Sequence, residues 1–188
     1  MTKNKKYKGG FMAVLTLEEY ALKREMKEKG ILKRFDTGEI RGMAKNGGMA
    51  ILCGDGDIDV RSYHKKAVSE RPHCKADFGG PLLLLPSFHG YDSCYAKGII
   101  GNIKAGMEVK KTKTVFCYFH YPCGMAKAYH HGLLDVFKMM PEAAEILRRE
   151  GFERIHILFH VKRLNKKKEE EQNTYLVDIE LLKAFFLE

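Results

Sequence analysis

Cys53, His120 and Cys123 are the residues whose types and spacing point most directly to chemistry. In His120-Tyr121-Pro122-Cys123-Gly124 an imidazole and a thiol stand three positions apart. A neutral imidazole and a thiolate at that spacing can grip one metal ion from a single turn. Cys53, in Cys53-Gly54-Asp55, can then close the set from elsewhere in the fold. Two thiolates and one imidazole suit Zn2+ and leave one tetrahedral position open, the arrangement of a catalytic rather than a structural zinc centre. The plainer alternative is two buried thiols and a hydrogen-bonded core histidine. The zinc reading is preferred because three ligand residues converge on strand ends.

The flanking residues predict those strand ends. Met49 to Cys53 is a continuous apolar run, as in a strand covered on both faces, and it stops at Gly54-Asp55-Gly56-Asp57. Thr114 to Phe119 is rich in β-branched and aromatic residues and reads as the clearest strand, with His120 and Cys123 following at its carboxyl end. Ligands in open α/β sheets bind beyond the carboxyl ends of strands.

The rest of the chain supplies a scaffold. Thr16-Leu17-Glu18-Glu19 matches a capping box opening a helix that Gly30 stops. A second helix or irregular stretch is expected over Ile31 to Asn46, and a helix over Ile58 to Ser69. His73 to Phe78 predicts a strand, and Leu82 to Leu85, between two prolines, is a strand-sized apolar run. Asp92 or Ser93 caps a helix reaching about Met107. Ala126 to Met140 predicts a further helix, and Pro141 opens another that ends near Gly151. Arg154 to Val161 and Thr174 to Ile179 predict the last strands, and Leu181 to Leu187 an apolar tail that docks on the body or on a partner chain. Strands alternating with helices give an α/β class: a mainly parallel central sheet flanked by helices, with an antiparallel edge. The 188 residues are expected to form a single zinc-binding domain, residues 1–10 being a basic mobile arm.

With these residues in view, the chain resembles the β-class carbonic anhydrases. That family carries Cys-x-Asp-x-Arg after one strand and His-x-x-Cys-Gly after a later one. Here Cys53-Gly54-Asp55 and His120-Tyr121-Pro122-Cys123-Gly124 take those places, and the likeness covers about Met49 to Met125. It implies that Cys53, His120 and Cys123 hold Zn2+. It also implies that Asp55 either fills the fourth zinc position or turns away and accepts a proton from zinc-bound water. The implied activity is a lyase reaction, reversible hydration of CO2 by zinc-bound hydroxide, with CO2 and bicarbonate or an analogue as substrate. The implied assembly is a homodimer or higher. The chain departs from the pattern at position 57, which is Asp where the family has Arg. Two alternatives therefore stand beside the lyase: a divergent member hydrolysing another small electrophile, and a non-catalytic zinc-binding protein with Asp55 locked on the metal.

Composition excludes other classes. Five cysteines at irregular spacing do not make a disulfide framework, and no apolar run reaches membrane-span length. A cytoplasmic location without a membrane partner is expected. The net charge of +9 invites a nucleic-acid reading. The charge gathers in Lys3 to Lys8, Lys110 to Lys113 and Lys162 to Lys168, which read as solvated segments. There is no recognition-motif aromatic pattern and no finger spacing, so specific nucleic-acid binding is not expected. Cys74, Cys94 and Cys117 are expected in the core, and His130-His131 on a solvent-facing helix rather than in a proton relay.

Overall fold

The computed structural model describes residues 15–34, 48–55, 64–65, 73–164 and 170–188, the side chains of 162–164 and 170–172 excepted. The predicted helix over Ile58 to Ser69 lies outside these residues, save that His64 and Lys65 are helical. Position 57, residues 35–46 of the expected Ile31 to Asn46 stretch and the arm at residues 1–10 also lie outside them.

Capping chemistry starts the first helix where the sequence says it should. Thr16 Oγ1 accepts the Glu19 N–H at 3.2 Å and the Glu19 carboxylate accepts the Thr16 N–H at 2.8 Å, opening α1 (Leu17–Glu28). Gly30, at φ +74°, turns the chain out of the helix. The chain then enters a strand, β1 (Leu32–Arg34), in place of the expected helix or irregular start. Its neighbour supplies the reason: β1 pairs antiparallel with a strand more than a hundred residues away, so no local signal announces it.

Strands β2 (Met49–Cys53) and β3 (His73–Asp77) form as expected and pair parallel, with all five residues of β2 buried. Leu82 to Leu85 do not form a strand. Gly79 and Gly80, at φ +98° and +53°, hold left-handed backbone, and with Pro81 they set a 3-10 turn over Gly80–Leu84. The leucines still enter the core. Helix α2 (Ser93–Lys110) is capped by Asp92, whose carboxylate accepts the Tyr95 N–H at 2.7 Å.

Strand β4 (Thr114–Tyr121) runs two residues further than expected, so His120 belongs to the strand itself. The helical stretch beyond divides differently from the expectation. Helix α3 (Gly124–Ala128) ends before a turn in which His130 takes φ +61°. Helix α4 (Leu133–Arg149) begins where the Gly132 N–H donates to Asp135 Oδ2 at 2.9 Å. Pro141 therefore lies inside α4 instead of opening a helix. Its missing N–H costs one backbone bond, while Phe137, Met140, Ala144 and Leu147 bury the inner face almost completely.

Strand β5 (Arg154–Leu164) pairs parallel with β4, and β6 (Glu170–Val177) returns antiparallel along β5. The last strand ends at Val177, short of the expected Ile179, which instead opens α5 (Ile179–Phe185); this helix takes in most of the Leu181 to Leu187 tail and docks Leu182 in the core. The six-stranded sheet has the order β1-β6-β5-β4-β2-β3, parallel from β5 to β3 and antiparallel on the other side.

Strand periodicity then sorts the side chains. Val115, Cys117 and Phe119 of β4 and Ile157, Phe159 and Val161 of β5 join one core with α4, where Phe137 and Phe159 stand 4.8 Å apart between ring centroids. The opposite face carries a polar-aromatic layer: His64 Nδ1 lies 2.8 Å from the Tyr118 hydroxyl, and Phe116 stacks on His156. Among the described residues no helix is long and apolar enough to cross a membrane.

Candidate metal centre

The parallel register brings the candidate ligands to one end of the sheet. β2 and β4 are neighbours, with Ile51 opposite Cys117. Two residues further along each strand, Cys53 comes level with Phe119, one position short of His120. The chain then turns at Tyr121-Pro122 and delivers Cys123 to the same place. The ligand atoms of Cys53, His120 and Cys123 all lie within 4.8 Å of one another, and all three residues are buried. Among the described residues this is the one group of that composition.

The polar atoms around the three residues fit a metal ion. His120 Nδ1 lies 3.1 Å from the Pro122 carbonyl oxygen, which can only accept, so Nδ1 carries the ring proton. That fixes the tautomer and leaves a lone pair on Nε2, which is buried without a hydrogen-bond partner. A buried imidazole nitrogen without a hydrogen-bond partner is expensive unless something binds it.

The Cys53 sulfur is held from the backbone. The Gly79 N–H donates to Cys53 Sγ at 3.2 Å. Cys123 is the N-cap residue of α3, and its sulfur takes no hydrogen bond from the first turn of that helix. The Cys53 thiol is held well below the ordinary thiol range, chiefly by the hydrogen bond from Cys123 and then by His120 and the Gly79 amide, against burial. Cys123 moves the opposite way, because it donates to Cys53 and because it is buried. Two thiols this close together are suited to lose both protons to a divalent cation.

Asp55 stands beside this group without joining it. Its Oδ2 lies 3.6 Å from where a Cβ on Gly124 would sit, which puts the carboxylate over the residue following Cys123. A crevice lined by Gly79, Pro81, Leu82, Tyr118, Cys123 and Val136 backs onto His120.

Several residues that build the site were not singled out as site residues from the sequence. Gly80 has no room for a side chain: a Cβ would meet Cys53 N at 2.6 Å, so the Gly79-Gly80 turn is moulded against the ligand strand. The Gly-Gly-Pro run was a visible signal of a turn, but nothing local said which residue its amide would reach. Tyr121 donates its hydroxyl to Glu19 Oε1 at 2.5 Å, and burial together with that carboxylate pushes its phenol well above the usual range.

The remaining candidates disperse. Cys117 is buried in the core as expected, and its thiol is pushed up by burial. Cys74 is half-buried and Cys94 is exposed on the first turn of α2, so neither is a core residue. His131 is buried and His130 exposed, in a turn instead of on a helix face. His131 packs against His89, with ring centroids 4.5 Å apart. Part of the basic surface is paired, as in Lys113 with Glu153 and Lys104 with Glu150.

No protein-family model matches the chain, and no curated protein matches it.

Proposed function

We propose that this chain is a zinc-dependent lyase of the carbonic anhydrase kind, converting CO2 and water to bicarbonate and a proton. The observation that carries the reading is the buried convergence of Cys53, His120 and Cys123, with His120 Nε2 left without a hydrogen-bond partner. Cys53, His120 and Cys123 would hold zinc, which would supply Lewis acidity for activating water.

The protein's own groups divide the remaining work. Cys53 and Cys123 contribute two negative charges, and the Gly79 amide moderates that on Cys53 by hydrogen bonding. The Pro122 carbonyl holds His120 in the ligating tautomer. Asp55, beside Gly124, accepts the proton released as water adds to the CO2 carbon. The same arrangement suits other small electrophiles with an exposed carbon, among them sulfur analogues of CO2. The reading carries with it a homodimeric assembly.

Residue 57 favours a second reading. With Asp there in place of Arg, position 57 offers no cation to pair with Asp55, so Asp55 would join the residues holding zinc and the protein would bind the metal without turnover. Stopped-flow CO2 hydration on protein of verified zinc content, with Cys53→Ser as the blank, separates the two. Zinc-dependent turnover that Asp55→Asn reduces while zinc is retained supports the lyase. Full zinc with no turnover rejects the lyase and leaves the binding protein. Failure of wild type to retain zinc rejects both.

A further inference from the structure

The first helix is fastened to the ligand turn through one carboxylate. Glu19 Oε2 accepts the Thr16 N–H at 2.8 Å and completes the capping box of α1. Glu19 Oε1 accepts the Tyr121 hydroxyl at 2.5 Å. The two oxygens thus serve different parts of the fold, a helix start and the end of β4. A capping box needs only the first of these bonds.

The place of Tyr121 gives the second bond its meaning. Tyr121 is the last residue of β4 and the one residue between His120 and Pro122. The bond between His120 Nδ1 and the Pro122 carbonyl closes a small ring, and the backbone of Tyr121 lies inside it. Any rotation about the Tyr121 backbone moves the Pro122 carbonyl relative to the imidazole, and moves Cys123 with it. Tyr121 is half-buried, so its phenol has a restricted set of partners, and α1 offers a fixed one. An anchor on the Tyr121 side chain therefore limits how far the His120 to Cys123 turn can open.

We infer that Glu19 and Tyr121 are positioning residues for the metal centre: their hydrogen bond holds the His120 and Cys123 donors at the spacing one ion requires. This rests on the metal reading of Cys53, His120 and Cys123. Groups that orient metal ligands from outside the coordination sphere cost about tenfold or more in metal affinity when removed.

The experiment measures zinc affinity by competition with a chromophoric chelator, together with the thiolate-to-cobalt charge-transfer band of the Co2+-loaded protein. Tyr121→Phe and Glu19→Ala are each expected to weaken zinc binding about tenfold and to shift the cobalt band, with the double variant no worse than either alone. Thr16→Ala removes the other half of the same capping box without touching Tyr121. It should lower thermal stability much as Glu19→Ala does, yet leave zinc affinity and the cobalt band unchanged. Wild-type affinity in Tyr121→Phe overturns the inference even if Glu19→Ala fails to fold. So does equal weakening in Thr16→Ala and Glu19→Ala, which would assign the effect to helix stability. A wild-type protein that binds neither zinc nor cobalt overturns the metal reading, and the inference with it.

Discussion

The Gly79 amide reaches Cys53 Sγ at 3.2 Å from a turn that lies 26 residues further along the chain. The bond is possible because Gly79 and Gly80 both take left-handed backbone, which brings the turn flat against the end of β2. A Cβ at position 80 would meet Cys53 N at 2.6 Å and the Leu52 carbonyl carbon at 2.7 Å, both rigid backbone atoms. Gly80→Ala is therefore expected to destabilise the protein by more than about 2 kcal/mol in urea unfolding, combining backbone overlap with left-handed strain. It should also weaken metal binding, since the turn it displaces holds Cys53. A variant as stable as wild type would show that the turn is not moulded as described.

Metal loading should appear as stability. A ligand that binds only the folded chain, at a hundred times its dissociation constant, adds about 2.7 kcal/mol. In a chain of this size that raises Tm by roughly 5 to 10 °C. Zinc should give this shift, a chelator should reverse it, and Cys53→Ser, His120→Ala and Cys123→Ser should each abolish it. An unchanged Tm in wild type would count against the site.

Thiol reactivity separates the cysteines. Cys94 is exposed and should alkylate readily in the native protein, whereas Cys117 is buried and its thiol pushed up, so it should react only on unfolding. Zinc should protect Cys53 and Cys123 and leave Cys94 unaffected. Mass-spectrometric mapping of labelled peptides checks this. Rapid native labelling of Cys117 would contradict the packing of β4.

One acid-labile contribution to stability can be located. The Asp178 carboxylate is held below the usual range by a hydrogen bond from Lys33, at 2.8 Å, and by the Leu181 N–H it caps. The folded state therefore binds this proton less tightly than the unfolded chain. Its contribution is complete above the ordinary Asp pKa of about 4 and is lost as pH falls through the lower folded value. Asp178→Ala should cost about 1 kcal/mol at neutral pH as a lost helix cap and should flatten the fall in stability below about pH 4. Urea titrations across acid pH measure both, and parallel curves for the two proteins would refute the assignment.

The aromatic contact between α4 and the sheet sets the scale for the core. Phe137 and Phe159 are fully buried, so Phe137→Ala should cost about 3 to 5 kcal/mol. Val109, three-quarters exposed near the end of α2, should change stability by no more than about 0.5 kcal/mol on conversion to Ala. Urea unfolding of the two variants compares them directly.

The sequence by itself determined whatever rests on neighbours in the chain. The capping box at Thr16 and Glu19, the Asp92 cap, the apolar run of β2 and the β-branched and aromatic run of β4 all act within a few residues, and each element formed where those signals stood. The α/β class and the trio Cys53, His120 and Cys123 were legible for the same reason, since both ligand segments advertise a strand giving way to a turn. Tertiary structure decided everything that depends on a distant partner. β1 is a strand because β6 offers it an edge. Leu82 to Leu85 pack as a turn because two glycines upstream take left-handed backbone. Pro141 sits inside α4 because the buried face on either side of it outweighs one lost hydrogen bond. At the site, the Gly79 amide on Cys53 and the Glu19 carboxylate on Tyr121 join residues far apart in sequence. A hydrogen bond of that kind leaves no local trace, because its energy is realised only once the sheet has brought its two ends together.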